Sequence, residues 1–373
     1  MASTPSIPLF KVYMSPKVQY PLMETLNGGY ITQGPKNEEF EYSLRKFLDV
    51  PSILTTNSCT SALQLAVKLA GVNYGDKVIT TAQSCSATTT SIMAVGGRVV
   101  WADIQRDTGN IDPNCVEDAL KKNPDVKAMV VVHWGGYPCD MDELNYLGTL
   151  YGVKVIEDAA HAFGARYKGL NIGNHSDFVA YSFQAIKHLT TADGGALVCK
   201  DPADHKRGKL LRWFGIDRDL PSRDSRCYED IKEAGFKYHM NDVNAVIGIN
   251  NLKDMPGILS KHINNGQYYD QHLKNIPRLQ LLRKNLDRVS AYWIYTVLVE
   301  DRQMFMNKMY EAGIMTSQVH NRIDKHTMCA EFATDLPEVD YFNEHQVNIP
   351  CGWWVTPQER EHIINTVKNI QGI

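Results

Sequence analysis

Between residue 36 and about residue 200 the chain alternates amphipathic stretches with short apolar runs. In residues 36–48, KNEEFEYSLRKFL, the side chains Phe40, Leu44, Phe47 and Leu48 recur on one helical face. A short strand is expected at Ser52–Thr56. A helix is expected at Thr60–Ala70, where Leu63, Ala66, Val67 and Ala70 share a face. Further strands are expected at Val78–Thr81, Arg98–Ala102, Ala128–His133, Val153–Glu157, Phe178–Phe183 and Ala196–Cys199. These runs are apolar almost throughout rather than alternating, which marks strands covered on both faces. The pattern predicts an α/β fold with a large domain built on a mostly parallel central sheet. In such sheets ligands sit beyond the carboxyl ends of the strands.

Past about residue 255 the texture changes. Pro256 and Gly257 precede a long polar helical stretch, KHINNGQYYDQHLKNI. A strand is expected at Ala291–Val299 and a helix around 302–312. A closing helix is expected to open on a capping box, with Thr356 as N-cap, Pro357 in the first turn and Glu359 three residues on. The expected division is a large domain at 1–254, with an N-terminal arm, and a smaller α+β domain at 255–373.

Composition narrows the function classes. The formal net charge is -3, with 22% charged residues. A general nucleic-acid binder would be basic, so none is expected as partner. No apolar run approaches the ~18 residues that span a bilayer, so no membrane association is expected. The N-terminal MASTPSIPLFKVYMSPKV lacks the charged and apolar regions of a secretory signal. The 8 cysteines, at 59, 85, 115, 139, 199, 227, 329 and 351, show neither C-x-x-C nor zinc-type spacing. They are expected to be reduced thiols of a cytoplasmic protein that holds no metal.

Three segments at strand ends carry candidate chemistry. Asp158 follows the strand VKVIE in EDAAHAFGA. Ser182 ends a strand and Lys187 follows in the loop of YSFQAIKHLTTADGGAL. Residues 55–66, TTNSCTSALQLA, read as strand, small-residue turn and helix. Pyridoxal phosphate (PLP) makes three matching demands. Its aldehyde needs a lysine amine held in a fixed loop. Its pyridine nitrogen needs a carboxylate partner. Its phosphate needs the N–H and hydroxyl donors of a helix N-terminus. Lys187, Asp158 and the Ser58–Ser61 turn with Ser182 are of the right types. Taken singly, each is also an ordinary solvated lysine, N-cap or turn.

The chain resembles the DegT/DnrJ/EryC1/StrS family of sugar aminotransferases. The resemblance rests on GYITQGPKNEEFE, NSCTSALQLA, EDAAHAFGA, SFQAIKHLTTADGG, KYHMNDVNAVIG and NIPCGWWVTPQE. It implies the fold-type-I architecture of PLP transferases and an aminotransferase activity. It also implies roles for single residues. Lys187 matches the lysine that binds the cofactor covalently, and Asp158 the carboxylate at the pyridine nitrogen. His161 takes a position near the cofactor's phenolic oxygen. Thr60, Ser61 and Ser182 match phosphate contacts. Asn241 matches an asparagine that reaches the neighbouring subunit's cofactor phosphate, which implies a homodimer with shared active sites. His320 and His326 fall where the family places substrate-side residues. His133, ending its strand, and Arg212 with Trp213 are further substrate-side candidates, although a lone histidine is more often a hydrogen-bonded structural residue.

Two departures bear on these roles. Cys85 stands where the family often has an aromatic ring over the pyridine face. His188 follows Lys187, and relatives in which a histidine replaces the lysine are dehydratases; the unbroken spacing of SFQAIK favours transamination. The expected substrates are an amino-acid donor, L-glutamate, and a keto-sugar nucleotide. The leading expectation is a nucleoside-diphosphate 4-keto-6-deoxyhexose giving a 4-amino sugar of the perosamine type. A 3-keto sugar, a small phosphorylated ketone, sugar dehydration and a non-enzymatic scaffold remain open from the sequence.

Overall fold

A computed structural model describes residues 6–220 and 230–373. Two helices, α1 (Gln19–Asn27) and α2 (Pro35–Leu48), lead into β1 (Leu54–Thr56) and α3 (Cys59–Leu69). Then come β2 (Lys77–Thr80), α4 (Ser86–Ala94), β3 (Arg98–Trp101), α5 (Pro113–Lys122), β4 (Val126–Val132), α6 (Met141–Tyr151) and β5 (Lys154–Asp158). Two-residue strands β6 (Arg166–Tyr167) and β7 (Leu170–Asn171) precede β8 (Phe178–Ser182), β9 (Gly195–Cys199) and α7 (Pro202–Leu211).

Seven of these strands form one sheet in the order β1-β9-β8-β5-β4-β2-β3. Its pairings are parallel except where β9 runs against both β8 and β1. Strand residues divide by parity between two cores. Met129, Val131, Val155, Val179 and Val198 join α2 on one face, through Phe40, Leu44 and Leu48. Ala128, Val130, Ile156, Phe178 and Leu197 join α3 on the other, through Leu63, Ala66 and Val67. Burial of both faces is why the strand runs are apolar at every position.

The later chain adds α8 (Asp242–Leu252), α9 (Met255–His272), β10 (Leu279–Leu281), β11 (Arg288–Val289), β12 (Tyr295–Val299), α10 (Arg302–Glu311), α11 (Pro337–His345), β13 (Gln346–Ile349) and α12 (Pro357–Gln371). A second sheet has the order β10-β12-β13, and a small third one β11-β6-β7. The capping box at Thr356 and Glu359 forms as expected. The strand expected from Ala291 begins only at Tyr295. The Ala291 and Trp293 N–H groups instead bond Gly136 O at 3.0 Å and Gly135 O at 2.9 Å, which pulls this segment out of the ladder. No helix among the described residues is long and apolar enough to cross a membrane. Seven cysteines are free thiols, and Cys227 lies outside the described residues.

Candidate active site

Strand ends at the carboxyl edge of the large sheet supply the floor of the site. Asp158 is the last residue of β5, and Ser182 the last of β8. Gly195, the first residue of β9, pairs with both Thr56 and Ser182, directly beneath the start of α3. A Cβ on Gly195 would lie 2.5 Å from Cys59 N and 2.5 Å from Ser58 C. Only a glycine lets the helix start settle this close to the sheet. Ser58 caps α3, its Oγ accepting from Ser61 N at 3.1 Å. The first N–H groups of a helix have no partner within it, so this end offers anion donors with the positive end of the helix dipole behind them.

Asp158 is buried and pinned. Its Oδ2 accepts from Thr88 Oγ1 at 2.7 Å and its Oδ1 from Ala160 N at 3.1 Å. Burial raises its pKa above the usual carboxylate range, and the two hydrogen bonds oppose that rise. Lys187 Nζ lies over the Trp293 ring, 3.4 Å from its centroid. Burial lowers the Lys187 pKa to about 8, with Cys59, Asp158 and Cys85 pulling the other way. The His161 ring stacks on Trp293 with centroids 3.9 Å apart and an 18° tilt, and His320 lies parallel to His161 at 5.5 Å. Burial keeps both histidines neutral, His161 well below its ordinary pKa and His320 down at about 4.

These groups line a single cavity of about 790 Å³. Of the residues singled out in the sequence, Ser58, Thr60, Cys85, Asp158, His161, Ser182, Lys187 and His320 face it. The others do not. Ser61 spends its Oγ on Asn57 Oδ1 at 2.6 Å and its N–H on the Ser58 cap. Asn241 caps α8, accepting from Asn244 N at 2.8 Å, away from this chain's own cavity.

Three substrate-side candidates do not line this cavity. His133 is completely buried: its Nδ1 accepts from Cys139 N at 3.1 Å, so Nε2 carries the proton and donates to Glu157 Oε2 at 2.8 Å. Arg212 is buried and ion-paired with Glu41, and also donates to Thr55 O at 2.8 Å. Its neighbour Trp213 packs on His239 instead of the cavity. His326 is exposed, just before the short 3-10 turn Thr327–Phe332, and makes no side-chain capping bond.

Trp293, Phe10, Ser84 and Thr88 escaped the sequence reading. Trp293 sat inside an expected strand, and nothing local marks Phe10 as the stacking partner of a ring 283 positions later in the chain. The missing aromatic at Cys85 is matched by an aromatic wall from another element, Trp293 stacked on Phe10 with centroids 5.1 Å apart.

The residues fit PLP. An amine, a pinned carboxylate and a helix start converge on one cavity. Three of its buried polar atoms, His161 Nδ1, Thr316 Oγ1 and His320 Nε2, have no protein partner. Such groups are normally satisfied, so their presence points to a polar ligand. Among the described residues no cluster of His, Cys, Asp and Glu could hold a metal ion.

The DegT/DnrJ/EryC1/StrS aminotransferase family model matches residues 14–368. The structure is similar to that of AtS13 from Actinomadura melliaura, with a TM-score of 0.94 and 39% identity over 99% of this chain and 100% of that one. It is also similar to the sugar aminotransferase CalS13 from Micromonospora echinospora, with a TM-score of 0.93 and 35% identity over 97% and 99% of the two chains. A third similar structure is Spr1654 of Streptococcus pneumoniae in its PMP form, with a TM-score of 0.90 and 27% identity over 98% and 99%. The chain belongs to the DegT/DnrJ/EryC1/StrS aminotransferase family and is a PLP-dependent aminotransferase of the fold-type-I architecture.

Proposed function

We propose that the enzyme moves the amino group of L-glutamate to a keto-sugar nucleotide, specifically a nucleoside-diphosphate 4-keto-6-deoxyhexose, giving a 4-amino sugar. The observation that carries this reading is the convergence of Lys187, Asp158 and the α3 start on one cavity. Its volume, about 790 Å³, leaves room for a substrate beside the cofactor. A sugar is supported by CalS13, itself a sugar aminotransferase, and by Thr316 Oγ1 and His320 Nε2, which can meet ring hydroxyls.

When bound, PLP supplies an electron-accepting ring that stabilises negative charge on the reacting carbon. In this reading Lys187 holds it and moves a proton at Nζ. With a pKa of about 8, the amine is partly neutral at physiological pH. Asp158 would pair with the pyridine nitrogen and favour its protonated form, and neutral His161 would serve the phenolic oxygen. Thr60, Ser182 and the α3 N–H groups take the phosphate. His188, the residue after the lysine, bonds Ala291 O at 2.9 Å and does not line the cavity, so Lys187 and not a histidine holds the lysine position. This favours transamination over dehydration.

The assembly is proposed as a cytoplasmic homodimer, with Asn241 reaching the partner's phosphate. Tyr20, Met23, Leu26, Tyr30 and Ile31 form an exposed apolar stretch on and after α1 that a second copy would cover. The seven free thiols suit a reducing compartment. A division near residue 254 is supported by the second sheet, whose three strands all follow that point.

Incubation with glutamate and a panel of keto-sugar nucleotides, read by mass spectrometry, tests the assignment. A 4-amino sugar with matching 2-oxoglutarate is expected. Amination of only 3-keto sugars, or of no sugar nucleotide, would overturn it.

A further inference from the structure

Both neighbours of Lys187 are tied to the segment that carries Trp293. Trp293 Nε1 donates to Ile186 O at 3.0 Å, and His188 Nε2 donates to Ala291 O at 2.9 Å. That segment is itself immobilised. Besides the two bonds to Gly135 and Gly136, His262 Nδ1 donates to Tyr292 O at 2.8 Å. The indole is 2% exposed and stacked by both Phe10 and His161. A ring held this way cannot turn aside. Its face, 3.4 Å from Nζ, is a fixed part of the lysine's surroundings.

We propose that Trp293 is a positioning residue that docks the free Lys187 ammonium on its indole face, fixing where the amine waits whenever it is not joined to the cofactor. The proposal rests on Lys187 being the cofactor lysine. An aromatic face attracts a cation and has no comparable pull on a neutral amine, and among side chains the indole binds cations best. Docking therefore favours the charged, waiting form and offsets part of what burial costs it. The other groups facing the ammonium divide in two. Asp158, Cys59 and Cys85 favour its charge. His161, His188 and His320 would oppose it if protonated, but burial holds all three neutral.

The test uses the full-length apoenzyme. It is incubated with PLP from about pH 6 to about pH 10, a range that brackets the lysine's titration. The adduct is reduced with borohydride, and label on the Lys187 peptide is quantified by mass spectrometry. Loss of the ring face makes the neutral amine available at lower pH. In Trp293→Leu the labelling midpoint is expected to fall by about half to one pH unit. In Trp293→Phe, which keeps a weaker face, it falls by less. A purely structural role would reduce the extent of labelling and leave the midpoint in place. Should the leucine variant not fold, the phenylalanine variant decides by the same criterion. Label at Lys187 with midpoints unmoved or raised would overturn the role of Trp293. No label at Lys187 in the wild type would overturn the lysine assignment and this role with it.

Discussion

Thr88 gives its single hydroxyl proton to Asp158 Oδ2 at 2.7 Å, and must therefore accept from Ser84 Oγ, also 2.7 Å away. This hydroxyl relay joins the loop before α4 to the carboxylate at the end of β5. Thr88→Val removes a donor from a buried carboxylate, and bonds to charged groups are worth about 1.5–3 kcal/mol. The half-reaction with glutamate, followed by the cofactor's absorbance change, should slow about tenfold or more. Thr88→Ser should restore it to near the wild-type rate. Equal rates in the valine variant and wild type would deny the relay a role.

Lys187 links the site to stability. Its folded pKa of about 8 lies below the unfolded lysine value, so the unfolded chain binds more protons between the two. Burying the ammonium thus weakens the apo fold below pH 8, and this cost is relieved as pH rises from about 8 to about 10.4. Lys187→Met should stabilise the apoenzyme at pH 7 by ~2 kcal/mol in urea unfolding and flatten its pH dependence across that window. A variant less stable than wild type at pH 7 would contradict this sign.

Gly195 tests the anion cradle. A methyl group there meets Cys59 N and Ser58 C at 2.5 Å, both backbone atoms that cannot swing aside. Gly195→Ala should push the α3 start off the sheet and weaken PLP binding about tenfold or more, since the phosphate loses aligned donors. Equilibrium dialysis against PLP measures this. Unchanged affinity would place the phosphate elsewhere.

His133 should separate folding from chemistry. Removing it leaves Glu157 buried without its partner, and breaking a buried pair costs about 3–5 kcal/mol. His133→Ala should lower the melting temperature markedly. The glutamate half-reaction of the folded protein should stay within about threefold of wild type, because the lost group lies outside the cavity. A folded variant with unchanged stability and abolished turnover would return His133 to the active site.

Most of the sheet and the strand-end part of the cavity could be read from the chain because they obey local rules. Asp158 and Ser182 stand where apolar runs stop, and Ser58 stands where a helix must be capped. Buried polar pairing obeys no such rule. His133 and Arg212 look like ligand-binding residues until Glu157 and Glu41 are seen to occupy them, the second from 171 positions away. Trp293 was hidden for a related reason. Its neighbours are strand-like in composition, but Gly136 O bonds Ala291 N and Gly135 O bonds Trp293 N outside the strand ladder, and the indole lies against Lys187.

The absorbance spectrum of the purified protein mixed with PLP, compared with that of Lys187→Ala, bears most directly on the lysine. Wild type should develop a band at the violet edge of the visible that sodium borohydride bleaches, and the alanine variant should show only free cofactor. The same band in both proteins, or a wild type that binds no PLP, would contradict the assignment of Lys187.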